Sequence, residues 1–136
     1  MEEKSFGIIP LRKKEGKWEA FLVKLKSGNH WSFPKGHPEK KEEEGIFVAI
    51  RELKEETNLS IKRYLFSHPF VEHYFYKKQG EKIKKTVTYF AAEVKGQVHL
   101  QKKEILEGKW IQLKDAPAII THKESQALCS LIESLL

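Results

Sequence analysis

Three glutamates near the middle of the chain, Glu52, Glu55 and Glu56, have the spacing of neighbours on one face of a helix. Like charges at this spacing repel one another by roughly 0.2–0.5 kcal/mol per pair. They also fall in the last turns of the predicted helix, where the helix dipole disfavours anions. A divalent cation would offset both effects, and magnesium often joins carboxylates to substrate phosphates. The alternative is a solvated acidic face neutralised by Arg51 and nearby lysines.

The helix that positions these glutamates is predicted from Glu44 to Thr57. Apolar residues recur there at three- and four-residue spacing, which predicts one buried stripe. The stripe consists of Ile46, Ala49, Ile50 and Leu53. A second amphipathic helix is predicted from Lys123 to Leu135 at the end of the chain. Its predicted buried residues are Ala127, Leu128, Leu131, Ile132 and Leu135.

Apolar runs rich in β-branched and aromatic residues predict the strands. Ser5–Leu11 and Trp18–Leu25 predict a hairpin, in which Pro10 favours an edge strand or a bulge. Further strands are predicted near Ile61–Phe66, Phe70–Tyr76, Lys85–Val94 and Lys109–Leu113, with a turn at Gln79-Gly80-Glu81 and a short helix from Asp115-Ala116-Pro117. Mixed strands combined with a central and a terminal helix predict an α/β sandwich.

The composition is that of one globular domain over residues 1–136, with 40% hydrophobic and 32% charged residues. No stretch approaches the roughly 18 apolar residues of a membrane span, and the polar N-terminus does not resemble a secretory signal. The single cysteine, Cys129, allows no internal disulfide, so we expect a cytoplasmic protein with no membrane partner. The net charge of +6 indicates either a lysine-rich surface or an affinity for polyanions such as nucleotides or RNA.

Gly36, Glu43 and the run from Arg51 to Leu59 closely resemble the Nudix box, G-x5-E-x7-R-E-U-x-E-E-x-G-U, in which U is a bulky aliphatic residue. The preceding segment, Trp31 to His37, resembles the usual lead-in to that box. So many matched positions are a strong signal. The resemblance implies a Nudix hydrolase with the Nudix fold, an α/β/α sandwich with a mixed β-sheet and a loop–helix–loop formed by the box.

The match departs from the box at two positions. Six residues rather than five separate Gly36 from Glu43, so either the loop carries one extra residue or Glu42 takes the place of Glu43. Asn58 stands where the family has glycine. That glycine ends the helix in a left-handed conformation, for which asparagine is the best substitute. Neither departure touches the helix carboxylates, so we expect the active site to be intact.

The resemblance implies a binding site for Mg²⁺, with Mn²⁺ as a possible substitute. Its ligands would be Glu52, Glu56, Glu55 and the carbonyl oxygen of Gly36. Arg51 and Glu43 would form an ion pair that orients the carboxylates. Two or more dications at such a site neutralise phosphate oxygens, lower the pKa of a bound water and stabilise the leaving group.

A further carboxylate is expected from the loop that follows the strands. Glu104 lies six residues before Trp110, as in the animal-type diadenosine-tetraphosphate hydrolases of this family. It would bind metal or act as the general base. Glu107 is the alternative, and either residue could be an exposed loop acid.

Four stretches resemble the asymmetric dinucleoside-tetraphosphate hydrolases: Phe6–Ile9, His30–His37, Lys85–Val94 and Trp110–Leu113. This resemblance implies a dinucleoside polyphosphate as the small-molecule substrate, and cleavage of diadenosine tetraphosphate to ATP and AMP. Lys35 and Lys85 would contact phosphates. For Lys85, membership of a solvated lysine run is an equal alternative. His30 is a candidate contact to phosphate or to metal-bound water, with a surface position as the alternative.

Aromatic side chains are the expected partners of the adenine rings. Tyr74 and Tyr76 share one face of a predicted strand, so one of them could stack on a base. Tyr89 is a weaker candidate because it could belong to the core. His122 stands about where the family supplies a second ring. Trp18, Trp31 and Trp110 are interpreted as packing residues.

The box does not distinguish among Nudix substrates. An RNA 5′-pyrophosphohydrolase, with an RNA 5′ end as its partner, and a nucleoside-triphosphate-cleaning enzyme are therefore alternatives. A polyanion longer than a mononucleotide is favoured by the basic residues Lys77, Lys78, Lys82, Lys84 and Lys85. A nucleotide-binding regulator without catalysis is a further alternative, but such proteins usually lack the helix glutamates, which are present here. No feature indicates a protein partner.

Overall fold

The computed structural model describes every residue from Met1 to Leu136 and contains both predicted helices. Helix α1 spans Gly45–Thr57 and α2 spans Lys123–Leu135. The strands are β1 (Glu2–Lys14), β2 (Lys17–Leu25), β3 (Trp31–Ser32), β4 (Lys35–Gly36), β5 (Ser60–Tyr64), β6 (Phe70–Lys78), β7 (Glu81–Lys95) and β8 (Ile105–Gln112). A 3₁₀ turn at Ala116–Ala118 precedes α2. Neither helix is long and apolar enough to cross a bilayer.

The strands form one mixed sheet in the order β3-β2-β1-β7-β5, with β4 paired to β1, β6 to β7 and β8 to β2. Strands β1 and β7 run parallel, and every other pair is antiparallel. Side chains alternate across a sheet, so the core has two halves. Ile8 and Ala92 pack on the side that holds Leu53 of α1. Ile9 and Ala91 pack on the side that holds α2. The predicted α/β/α sandwich is confirmed.

The predicted edge position of Pro10 is wrong, because β1 lies in the interior of the sheet. On one side, Pro10 pairs in register with Ala92 of β7. On the other side, the pairing with β4 ends at Gly7 and the pairing with β2 begins at Leu11. The Ile8 amide donates toward this second side, to the carbonyl of Pro34, and amide directions repeat every two residues. The nitrogen of Pro10 therefore faces a gap between partners, where no donor is needed.

The buried stripes of the helices differ in part from the prediction. In α1, Ala49 and Leu53 are buried as predicted, whereas Ile46 and Ile50 are only half-buried. In α2, Leu128 and Ile132 are buried together with Ser125 and Cys129. The predicted burial of Ala127, Leu131 and Leu135 is wrong. These residues face solvent because α2 packs on the sheet through the face that carries Leu128, Cys129 and Ile132.

Candidate active site

The helix glutamates line a cleft of about 390 Å³ at the C-terminal half of α1. Most of the lining residues are charged or polar, and the full set consists of Ser5, Lys35, Gly36, His37, Pro38, Glu39, Arg51, Glu52, Glu55, Glu56, Lys85 and Glu104. Strand β4 contributes Gly36 to its wall. A Cβ atom at Gly36 would overlap the carboxylate of Glu52, so only glycine allows that carboxylate to approach the backbone this closely.

Glu56 is the most buried carboxylate of the cleft, with 6% of its surface exposed. Its Oε1 atom is buried and has no hydrogen-bond partner. Burial raises the pKa of Glu56 to about 9, and the charge of Glu52 adds to the rise while Lys35 opposes it. Burial also raises the pKa of Glu52, with a further contribution from Glu55. The pair therefore concentrates negative charge where solvent cannot stabilise it, which favours binding of either a proton or a cation.

Arg51 lines the cleft and forms ion pairs with several carboxylates around it. Its Nη2 atom lies 3.1 Å from Oε1 of Glu43, and its Nη1 atom lies 2.7 Å from Oε1 of Glu39 and 3.4 Å from Oε1 of Glu52. The Glu39 amide donates to Glu43 at 3.0 Å and closes the loop. Glu42 is exposed and makes no ion pair. The extra residue is thus absorbed in the loop, and the partner of Arg51 is Glu43.

The end of α1 adopts the predicted left-handed conformation at Asn58, with φ 68° and ψ 8°. The amide of Asn58 donates to the carbonyl of Lys54 at 2.9 Å. Its side-chain nitrogen donates to the carbonyl of Gln97 at 3.0 Å. The Gln101 amide donates to the carbonyl of Glu56 at 3.1 Å. These bonds attach the loop that precedes β8 to the end of the helix.

Glu104 lies on that loop and lines the cleft, whereas Glu107 does not. Glu107 stands on β8 opposite Lys24 and its carboxylate lies 3.8 Å from Nζ of Lys24. The carboxylates do not converge into a ready-made coordination shell. Glu55 instead leans toward Arg51 at 3.9 Å, and Glu104 is exposed.

Two lysines form the cationic wall of the cleft. Lys85 is 5% exposed, so it does not belong to a solvated lysine run. Its Nζ atom lies 3.6 Å from Oε1 of Glu3 and 3.4 Å from Nε2 of His37. Burial and the charge of Lys35 lower the pKa of Lys85 to about 8, against the effect of Glu3. Burial lowers the pKa of Lys35 as well, while Glu56 and Glu72 oppose the change.

Sequence reasoning missed several residues of this wall. His37 stands in the lead-in segment, and its Nδ1 lies 3.1 Å from the carbonyl of Lys4. Glu3 and Ser5 reach the site because β1 pairs with β7 in parallel, which sets Glu3 opposite Lys85. Nothing near the N-terminus marks these residues in the sequence, whereas the position of His37 beside Gly36 was a usable signal.

An aromatic row lies beside the cleft and does not line it. The rings of Tyr74 and His122 are stacked, with centroids 5.5 Å apart and an angle of 15° between the planes. The ring of His30 meets that of His122 edge-on at 4.8 Å. His30 therefore lies with the aromatic side chains and not among the carboxylates. The hydroxyl of Tyr76 donates to the carboxylate of Glu3.

Tyr89 is fully buried, so the prediction that it could stack on a base is wrong. Its ring packs edge-on against Phe33 with centroids 5.5 Å apart. The strand register turns it into the half of the core between the sheet and α2. The interpretation of the tryptophans as packing residues agrees with the structure, since Trp110 packs against Phe21 with centroids 5.2 Å apart.

The Nudix domain matches residues 1–130 of the chain. The chain is 33% identical over 130 residues to the asymmetrical bis(5′-nucleosyl)-tetraphosphatase of Caenorhabditis elegans, covering 94% of this chain and 92% of that protein. It is 34% identical over 105 residues to mRNA-decapping enzyme subunit 2 of Arabidopsis thaliana, covering 74% of this chain and 27% of that protein. The structure of a C. elegans Ap4A hydrolase binary complex superposes with a TM-score of 0.76 at 28% identity, covering 98% and 96% of the two chains.

The domain match extends over the sheet, α1 and the first part of α2, and it includes every residue that lines the cleft. The similarity to the worm enzyme extends over nearly the whole length of both proteins, so it is not confined to the box. The chain therefore belongs to the Nudix family.

Proposed function

We propose that this protein hydrolyses diadenosine tetraphosphate asymmetrically to ATP and AMP, with Mg²⁺ as its cofactor. The observation that carries the proposal is the buried, unpaired Oε1 atom of Glu56 in a cleft that also contains Lys35 and Lys85. A buried carboxylate oxygen without a partner is unfavourable unless a cation completes its interactions. The identity to the worm tetraphosphatase supports the choice of substrate.

The donor set fits a hard dication, because every side-chain ligand would be a carboxylate. The ligands would be Glu52 and Glu56, with Glu55, Glu104 and the carbonyl of Gly36 as further donors. Mn²⁺ would substitute because it prefers the same oxygen ligands. When bound, the cation would neutralise phosphate oxygens and lower the pKa of the attacking water.

The other residues of the cleft position these groups and the substrate. Arg51 holds Glu52 from one side while Glu39 and Glu43 hold Arg51, which limits the directions that the carboxylate can take. Lys35 and Lys85 would bind the phosphates as compact charges. A pKa of about 8 leaves Lys85 mostly protonated at neutral pH, so its charge is available.

Glu104 is our candidate for the general base, with metal ligation as its alternative role. It is the carboxylate of the β8 loop that faces the cleft. It makes no ion pair, so its oxygens are free to accept a proton from the attacking water.

The adenine would bind between Tyr74 and His122. A base between two rings needs about 7 Å between the ring planes, twice the contact distance of about 3.5 Å. The rings stand 5.5 Å apart, centroid to centroid, so they must separate by about 1.5 Å or more. His122 immediately precedes α2 as its N-cap residue, without a side-chain capping bond, so its ring can swing away from Tyr74 without breaking such a bond.

Product analysis with diadenosine tetraphosphate and Mg²⁺ tests the proposal directly. We expect equal amounts of ATP and AMP by ion-exchange chromatography. Two ADP molecules per substrate would contradict the asymmetric cut. Replacing Tyr74 by Ala should raise KM about fivefold with little change in kcat, because one stacking contact contributes about 1 kcal/mol.

A second candidate activity is removal of pyrophosphate from RNA 5′ ends. The 34% identity to an mRNA-decapping subunit favours it. Comparing kcat/KM for diadenosine tetraphosphate, triphosphorylated RNA and single nucleoside triphosphates separates these activities. A clear preference for the RNA would replace our first choice, and tight nucleotide binding without any turnover would indicate a regulator.

A further inference from the structure

The β6–β7 hairpin and the start of β1 form a second charged surface on the reverse side of the strands that carry Ser5 and Lys85. We define this hairpin face by Lys4, His73, Phe75, Lys77, Lys82 and Lys84. The strand pairing sets Phe75 opposite Lys84, Lys77 opposite Lys82 and His73 opposite Thr86, and Lys4 follows on β1 opposite Thr86. Paired residues point to the same side of a sheet, so these side chains share one surface.

The lysines of the hairpin face are not neutralised by ion pairs. Lys78 and Lys85 of the same hairpin turn to the other side of the sheet and approach Glu3 at 3.9 and 3.6 Å. The four lysines of the hairpin face form no ion pair, although ten ion pairs occur elsewhere in the protein. Glu2 is the one acid in register with them, opposite Lys84. With four lysines and one glutamate, the surface is a net positive patch, which attracts polyanions.

Phe75 lies in the middle of this patch and is 58% exposed. The Nζ atom of Lys82 stands 4.5 Å from the centroid of its ring. Neighbouring strands lie about 4.8 Å apart and alternate residues of one strand about 6.8 Å apart. The backbone positions of Lys77 and Lys84 therefore lie about 5–7 Å from that of the exposed Phe75, and the ammonium group of Lys82 lies over its ring. Stacking on an aromatic ring while lysines follow the phosphates is how proteins bind single-stranded nucleic acid.

Polar groups beside the ring suit a ribose. Nδ1 of His73 lies 3.1 Å from Oγ1 of Thr86 on the same surface. This pair offers a hydrogen-bond donor and an acceptor next to Phe75. A ribose 2′-hydroxyl, which can both donate and accept, is the group that distinguishes RNA from DNA.

We propose that the hairpin face binds single-stranded RNA. This function goes beyond nucleotide hydrolysis in the cleft and does not depend on it, because no residue of the hairpin face lines the cleft. Bases stack on Phe75, and the lysines of the hairpin face contact the phosphates on either side.

Fluorescence anisotropy with the full-length protein and a 3′-labelled 12-mer of oligouridine tests this inference. The RNA carries a 5′-hydroxyl and the buffer contains EDTA, so the cleft neither cleaves nor recognises a 5′ phosphate. We expect Phe75→Ala to weaken binding at least about fivefold. The double variant Lys82→Gln/Lys84→Gln should weaken binding about tenfold at low salt and flatten the dependence of log Kd on log salt by about 1.4, or about 0.7 per contact.

Two matched controls address exposure and charge. Phe47→Ala removes a phenylalanine of α1 with 59% exposure, almost equal to that of Phe75. Lys14→Gln/Lys17→Gln removes two exposed lysines at the far end of the β1–β2 hairpin. Both controls should bind RNA as the wild type does. Circular dichroism melts verify that each variant folds.

Equal weakening by a face variant and its control would overturn the proposal, as would a Phe75→Ala variant with unchanged affinity. Displacement of the RNA by polyglutamate as readily as by unlabelled RNA would indicate a generic polyanion surface instead. Equal affinity for a DNA of the same length would overturn the assignment to RNA. The face variants should cleave diadenosine tetraphosphate at the wild-type rate. A wild type that binds RNA and leaves that substrate intact would refute the proposed hydrolysis and not this inference.

Discussion

Replacing Glu56 by Gln separates two effects of its buried, unpaired carboxylate: a pH-dependent loss of folding stability and a contribution to metal binding and turnover. In the metal-free protein the pKa of Glu56 is raised to about 9 from its ordinary value of 4.5. The folded state then holds a proton that the unfolded chain releases as the pH rises above 4.5. The stabilising effect of this group is fully present below pH 4.5 and is lost as the pH rises toward 9.

The loss amounts to about 1.4 kcal/mol per pH unit, or about 3 kcal/mol at pH 7. Glutamine resembles the protonated acid and does not titrate. Metal-free Glu56→Gln should therefore gain stability over the wild type as the pH rises from 5 to 8. Loss of a metal ligand should at the same time lower kcat about a hundredfold or more, which corresponds to about 3 kcal/mol of transition-state stabilisation.

Urea unfolding in EDTA at pH 5, 7 and 8 measures the stability, and turnover of diadenosine tetraphosphate measures kcat. Mg²⁺ should stabilise the wild type and have a smaller effect on the variant, because ligand binding to the folded state adds to its stability. Glu44→Gln is the matched control, since Glu44 is an exposed residue that precedes the same helix and makes no capping bond. If Glu56→Gln follows the wild type at every pH, the argument from burial is wrong. Unchanged turnover would remove Glu56 from the site.

Other substitutions test the positions around Glu56. Gly36→Ala places a Cβ where it overlaps the carboxylate of Glu52 and displaces it, so Mg²⁺ affinity by calorimetry should fall at least tenfold. An affinity equal to that of the wild type would contradict this argument. Glu104→Gln should lower kcat more than it raises KM. Glu107→Gln should retain wild-type kinetics, because the partner of Glu107 is Lys24 outside the cleft. Equal effects of the two substitutions on kcat would contradict the assignment of Glu104 as the catalytic carboxylate of this loop. Asn58→Ala should cost about 1–2 kcal/mol in urea unfolding, because alanine strains at φ 68° and loses an amide hydrogen bond. Asn58→Gly loses only the bond, so a larger cost for glycine than for alanine would refute this account.

Local spacing accounts for the features that were predicted correctly from the sequence. The period of the helix places Glu52, Glu55 and Glu56 together whatever surrounds them, because residues three and four apart share a helix face. Asn58 likewise ends α1 because few residues other than glycine tolerate a positive φ. The main strands followed from apolar, β-favouring runs, and the sandwich architecture followed from the order of strands and helices along the chain.

Long-range packing decided which of two nearby acidic residues belongs to the site. Glu43 and Glu42 are adjacent in the sequence, and only the folded loop shows which of them meets Arg51. Glu104 and Glu107 differ because the register of β8 against β2 carries Glu107 to Lys24. The choice between neighbours depends on which way a loop or strand turns, and that direction is set by contacts with distant segments.

The parallel pairing of β1 with β7 had the largest effect on the site. It brings Glu3 to Lys85 across most of the chain and buries that lysine, although its sequence context is that of a solvated run. The same register buries Tyr89, whereas the antiparallel pairing of β6 with β7 leaves Phe75 exposed. Residue type and spacing thus determined which chemistry this chain can perform. The tertiary structure decided which lysines, acids and rings take part, because burial and register depend on partners far away in the sequence.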